Sequence, residues 1–175
     1  MAVTIASVLM VSLLMGGHMP FQTGDGAPAA RLATGHWQAV YVLGERCPCS
    51  TRVARYLMGR SALGGIEEFI LQVGEEPETE AGLTNAGWQM RRRPPEIARD
   101  HYGARSAPLF VIVDPTGEVR YRGGLSRRTD SRDGFHDREI WEAVRAGRAV
   151  TPLPAYGCAL RFGCEWGGVS QALER

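Results

Sequence analysis

Apolar and polar positions divide the chain into short, well-punctuated elements. Residues 37–43 (W-Q-A-V-Y-V-L) form an apolar, β-rich run that ends at Gly44 and predicts a strand. Residues 51–58 place Val53, Tyr56 and Leu57 three to four apart, which predicts a helix broken by Gly59 and Gly64-Gly65. Residues 68–73 (E-F-I-L-Q-V) predict a second strand, and the acidic stretch 74–84 reads as a solvated loop. Residues 87–90 read as a short strand or an approach segment, and Arg91-Arg92-Arg93 behind them as a solvated loop. Pro94-Pro95-Glu96 then opens a helix through Ile97, Ala98, His101 and Tyr102, closed by Gly103. Residues 109–113 and 118–121 flank Asp114-Pro115-Thr116-Gly117 and predict a hairpin ending at Gly123-Gly124. After a polar loop at 126–133, residues 137–146 put Ile140, Trp141 and Val144 on one helical face, and Gly147 stops them. The tail from Val150 reads as loop. The order strand, helix, strand, helix, strand, strand, helix predicts an α/β fold: a central mixed β-sheet flanked by helices on both faces.

Composition bounds this picture. A chain of 175 residues with 44% hydrophobic content suffices for one ordinary domain with a proper core. A formal net charge of +1 gives no case for nucleic acid as a partner. All the basic residues are arginine, which carries no functional argument. The amino-terminal segment changes the picture more. Residues 2–19 hold no charge and are dominated by Ala, Val, Ile, Leu and Met, and a Gly/Ala/Pro-rich stretch follows. Such a run sits between a signal-peptide core and a short membrane span, although a basic region ahead of it is absent. Ala27-Pro28-Ala29 offers a small-residue cleavage pattern. The expected organisation is a signal peptide or membrane anchor at 1–20, a linker at 21–35, the domain at 36–149 and a cysteine-bearing tail at 150–175. Location outside the cytoplasm, in the periplasm or its equivalent, follows from that expectation.

The chemistry concentrates at Cys47-Pro48-Cys49-Ser50, where the first strand gives way to the first helix. A thiol there faces unpaired backbone amides and the positive end of the helix dipole, so its thiolate is stabilised. Arg46 next door would add to this. An ionised, rigidly held thiol is what a redox nucleophile requires. Two cysteines one residue apart in a charged turn favour such chemistry over an inert buried cysteine.

From these residues the chain resembles the thioredoxin-like superfamily, over roughly residues 37–147. Cys47 matches that family's nucleophilic cysteine. Ser106-Ala107-Pro108, directly before the strand at 109–113, stands where the family carries its cis-proline. More narrowly, C-P-C-S with G-A-R-S-A-P, Y-R-G-G and Y-G-C-A-L is similar to small bacterial RedB-like redoxin proteins, largely of undefined function. The resemblance implies a thioredoxin-like fold and thiol–disulfide exchange with a protein disulfide or redox partner, without a cofactor. The site residues it implies are Cys47, Cys49, Ser50 and Pro108. One departure matters: the family's second cysteine falls at i+3, which is Ser50 here. Residues two apart in a helix do not face one another, so a Cys47–Cys49 disulfide would distort the turn.

Three schemes follow. Cys49 resolves through a labile bridge, Cys47 works as a monothiol supported by Ser50, or Cys158 resolves from a distance. Cys158 and Cys164, six apart in the tail, also read as a local disulfide or as free thiols. Metal transfer is the rival reading, with Cys47 and Cys49 holding a soft ion such as Cu(I) and His101 or His136 as partner. A non-catalytic module of the same fold is the third. Peroxide reduction is disfavoured because residues 40–46 lack the Pro and Thr of the peroxidase approach.

Overall fold

The computed structural model describes residues 20–21, 33–128 and 134–160. The apolar run at 2–19, most of the expected linker and Cys164 lie outside them. A five-stranded mixed sheet forms the centre, in the order β4-β3-β2-β6-β7. Its strands are β2 (Gln38–Gly44), β3 (Glu67–Val73), β4 (Gln89–Arg92), β6 (Leu109–Val113) and β7 (Val119–Gly123). β2, β3 and β4 run parallel, β6 runs antiparallel to β2, and β7 runs antiparallel to β6. The helices are α1 (Pro48–Gly59), α2 (Pro77–Asn85), α3 (Pro95–Tyr102) and α4 (Asp137–Arg145). Two-residue strands complete the described residues: β1 (Pro20–Phe21), β5 (Ser106–Ala107), β8 (Ala155–Tyr156) and β9 (Cys158–Ala159).

β2 is buried from end to end because side chains alternate between two covered faces. Ala39, Tyr41 and Leu43 join Phe110 and Ile112 beneath α1, α2 and α4, which contribute Val53, Leu57, Leu83, Ile140 and Trp141. Val40 and Val42 face the other way, with Phe69, Leu71 and Val111, against Ala98 and Tyr102 of α3. The predicted hairpin turn is present. Asp114 Oδ1 accepts hydrogen bonds from the Thr116 amide, the Thr116 hydroxyl and the Glu118 amide, at 2.9, 2.7 and 2.9 Å.

Three sequence expectations require correction. The acidic stretch 74–84 is not all loop, since α2 occupies most of it. Pro77 starts that helix, Glu78 and Glu80 complement its dipole, and Leu83 buries completely. Arg91 and Arg92 are strand residues rather than loop. Arg91 lies 3.7 Å over the Phe69 ring and pairs with Glu67, while Arg92 pairs with Glu75 and Glu80. The tail is the largest departure. Instead of a loose loop, β8 pairs with β1 and β9 pairs with β5. The predicted loop at 126–133 falls partly on residues 129–133, outside those described, and its first residue, Ser126, is buried.

A polar cluster lies on the same side of the sheet as α1. Asp137, fully buried at the start of α4, accepts hydrogen bonds from the hydroxyls of Tyr41 and Tyr56 at 3.0 and 2.6 Å. Arg60 Nε is 2.9 Å from Asp137 Oδ2, and the same guanidinium pairs with Glu68 and contacts the Tyr41 hydroxyl. These groups tie α1, β2, β3 and α4 together beneath the helical layer.

Candidate active site

β2 ends at Gly44, and Glu45 and Arg46 carry the chain over the edge of the sheet. Arg46 adopts φ 49°, a left-handed conformation that turns the backbone into the helix. Cys47 is then the N-cap of α1, with extended φ and ψ of −108° and 108°, and Pro48 follows at the first helical position. The Cys47 carbonyl accepts the Thr51 amide at 3.0 Å, which fixes the first turn. This strand-to-helix turn is the placement predicted from the sequence.

The Cys47 side chain is 2% exposed. Its thiol is held down to about pKa 4, first by hydrogen bonding from Cys49 and then, against the opposing effect of burial, by the Ser50 hydroxyl, Cys158 and the Ser50 amide. Arg46, exposed, is not among these leading contributors. Cys49 moves the other way, pushed strongly up by its hydrogen bond to Cys47 and then by burial. Burial, followed by the hydrogen bond to and charge of Cys47, pushes Cys158 up to about 11. At neutral pH the site therefore holds one thiolate served by two protonated thiols. In its protonated form, Cys47 Sγ donates to the Ala107 carbonyl at 3.4 Å.

Cys49 reaches Cys47 despite the i, i+2 spacing. The spacing rule applies between two helical residues, and Cys47 is an extended N-cap. Ser50 is buried and its Oγ accepts the Gly44 amide at 3.0 Å, which leaves its own proton for the thiolate. The Ala107–Pro108 peptide is cis, where the resemblance placed it. Pro108 lines a shallow groove beside Cys49, together with Arg52, Leu125, Phe135, Pro154 and Tyr156. Arg52 sits 5.2 Å from the Phe135 ring centre and reaches Ser126 Oγ at 3.4 Å. The sequence reading missed this groove, since its residues come from five separate segments.

Cys158 is brought in by the sheet. β5 and β9 pair antiparallel, with Ala107 opposite Cys158 and Ser106 opposite Ala159. Cys47, Cys49 and Cys158 are all free thiols. Cys164, its alternative partner, lies outside the described residues. The two histidines considered for metal do not join the turn. His136 Nδ1 is 2.9 Å from Glu139 Oε2, and His101 belongs to α3, on the opposite face of the sheet from α1. Among the described residues no set of three or more His, Cys, Asp or Glu is placed to hold a metal ion.

The mixed sheet, the strand-delivered cysteine turn and the cis-proline beside it define a thioredoxin-like fold. No protein-family model matches the chain, and neither does any curated protein. Solved structures do. An uncharacterized conserved protein from Geobacillus kaustophilus is 19% identical, with a TM-score of 0.54 over 75% of this chain and 80% of its own. A hypothetical protein from Sinorhizobium meliloti 1021 is 16% identical, with a TM-score of 0.55 over 85% of this chain and 98% of its own. A secreted Mycobacterium tuberculosis disulfide oxidoreductase homologous to E. coli DsbE is 13% identical over 65% of this chain and 84% of its own, with a TM-score of 0.46. At these identities the likeness bears on the fold alone.

Proposed function

We infer that the protein is a thiol–disulfide oxidoreductase acting through Cys47, exported or held at a membrane by its amino-terminal segment. One observation carries the chemistry: Cys47 caps the start of α1 beside the cis Ala107–Pro108 peptide, its Sγ 3.4 Å from the Ala107 carbonyl, with Cys158 opposite Ala107 and neighbouring donors that hold its thiol well below the ordinary range. The thiolate attacks one sulfur of a substrate disulfide, forming a mixed disulfide and releasing the other sulfur as a thiolate that takes up a proton. A second thiolate of the protein then attacks Cys47 Sγ, closes an internal disulfide and frees the substrate as a dithiol. The substrate gains two electrons and two protons; the protein supplies both electrons and the proton of its second thiol, and solvent supplies the other proton. Run backwards, the same steps oxidise a dithiol.

Export is supported by the uncharged run at 2–19 and the Gly/Ala/Pro-rich stretch behind it. Among the described residues no helix is long and apolar enough to cross a membrane. The domain at 36–149 then acts with the tail from Val150, which brings Cys158 to the site. No specific observation favours the copper reading or the non-catalytic one. The deciding experiment follows turnover of a disulfide-linked test protein by wild type and by Cys47→Ser. Loss of turnover in the variant is expected, and equal turnover would refute the reading.

A further inference from the structure

The tail around Cys158 is built into the site rather than draped over it. β9 pairs with β5 immediately before Pro108, and the register sets Cys158 across from Ala107, whose carbonyl touches Cys47 Sγ. The approach of the two backbones is very close. A Cβ added at Gly157 would lie 1.8 Å from the Ala107 oxygen, and one at Gly124 would lie 2.0 Å from the Pro154 oxygen. Leu160 is buried beside them, its amide bonded to the Arg105 carbonyl at 2.9 Å. With the tail seated, Cys47 is almost fully covered.

Resting on the oxidoreductase reading, we propose that Cys158 is the resolving thiol and that residues 155–160 are an intrachain stand-in for the substrate. Within them Cys158 and Ala159 occupy the Ser106–Ala107 edge as an extended strand that brings a cysteine beside Cys47. The substrate class is accordingly an extended, cystine-bearing polypeptide segment, which takes this edge when the tail lifts. The tail's return brings Cys158 to the mixed disulfide.

Two features divide the roles of Cys49 and Cys158. A Cys47–Cys49 bridge must form inside the first turn of α1, which the Thr51 amide and the Gly44–Ser50 bond hold in place. A Cys47–Cys158 bridge joins two separate segments and leaves that turn intact. Cys49 instead acidifies the nucleophile, as the leading source of hydrogen bonding to it. Once Cys47 enters a mixed disulfide, the hydrogen bond and the negative charge that help keep Cys158 protonated are both lost. Cys158 thereby becomes a better nucleophile after the first step than before it.

In the reaction sequence Cys47 S⁻ first takes the sulfur of one substrate cysteine, and the other leaves as a thiolate. Cys158 then gives up its proton, directly or through water, to that leaving thiolate. Cys158 S⁻ attacks Cys47 Sγ, the Cys47–Cys158 bond forms as the Cys47–substrate bond breaks, and the second substrate sulfur leaves as a thiolate that takes a proton from solvent.

The test uses the full chain, reduced and then treated with a peptide carrying an internal disulfide, acid-quenched and mapped by mass spectrometry. In wild type a Cys47–Cys158 link is expected. In Cys158→Ser the Cys47–peptide mixed disulfide should accumulate about tenfold or more, while Cys49→Ser should still close the Cys47–Cys158 link. A dominant Cys47–Cys49 or Cys158–Cys164 link, with no accumulation in Cys158→Ser, overturns the proposal while leaving the nucleophile reading standing. Absence of any adduct on Cys47 in all three proteins overturns the nucleophile reading itself. Gly157→Ala tests the cover separately. It should raise the alkylation rate of Cys47 by about tenfold in a protein that keeps its helical circular dichroism. An unchanged rate in that folded variant overturns the idea that the tail covers the nucleophile.

Discussion

Ser50 Oγ accepts the Gly44 amide at 3.0 Å, and its hydroxyl proton is left to face Cys47. This one side chain joins the end of β2 to the first turn of α1, three residues after Cys47. Ser50→Ala removes a donor from the thiolate and strands a buried amide. The Cys47 pKa should rise by about one unit, and the protein should lose about 1–2 kcal/mol. Thiolate ultraviolet absorbance against pH, with urea unfolding alongside, reads both effects.

Cys49 contributes more than Ser50 to the acidity of Cys47. Cys49→Ala should therefore raise the Cys47 pKa further than Ser50→Ala does, while Cys49→Ser, which keeps a donor, should fall between Cys49→Ala and wild type. The same absorbance titration ranks the three variants. A smaller shift in Cys49→Ala than in Ser50→Ala would contradict the ordering.

The depressed pKa has a definite sign in stability. The Cys47 thiol titrates near 4 in the folded protein against an ordinary value of 9.0. Its contribution is fully present above about pH 9, shrinks as pH falls and is gone below about pH 4. Alkylation of Cys47 in the Gly157→Ala variant, where access is not limiting, should stay near its plateau at pH 6 and fall with a midpoint near pH 4. A midpoint near 9 would mean that the surrounding donors do not act on the thiolate.

The Asp137 cluster predicts an asymmetry between its members. Arg60→Met leaves the carboxylates of Asp137 and Glu68 buried without their shared cation. It should cost about 3–5 kcal/mol. Asp137→Asn keeps acceptor and donor atoms near both tyrosines and leaves Arg60 paired with Glu68, so it should cost less. Urea midpoints at constant m separate the two. Equal losses would count against the account.

Seating of the tail can also be tested at its other contact. Gly124→Ala places a methyl against the Pro154 carbonyl, where backbone must move. About 1–3 kcal/mol of stability should be lost, with faster alkylation of Cys47 measured on the same samples.

Much of the central architecture was legible because its signals are local. The strand at 38–44, the helix behind Cys47, the Asp114 turn and the Gly103 stop each rest on a few neighbouring residues. α2 escaped because Leu83 alone buries in an otherwise acidic stretch, so no apolar face shows. β8 and β9 are two residues long, below the length at which alternation means anything. Asp137 reads as an ordinary first-turn acid, and only packing reveals it as the anchor of two tyrosines and an arginine. For the site, Cys47, Ser50 and Pro108 could be placed from the turn and the strand that follows. The nearness of Cys158 could not, since it depends on a strand pairing that spans half the domain.

That pairing has a kinetic meaning. A thiol carried by its own chain to the wall beside Cys47 meets the nucleophile at an effective concentration on the order of millimolar or above. Free small thiols must match that local supply to intercept a sulfur bound at Cys47, whatever the dilution of the protein itself.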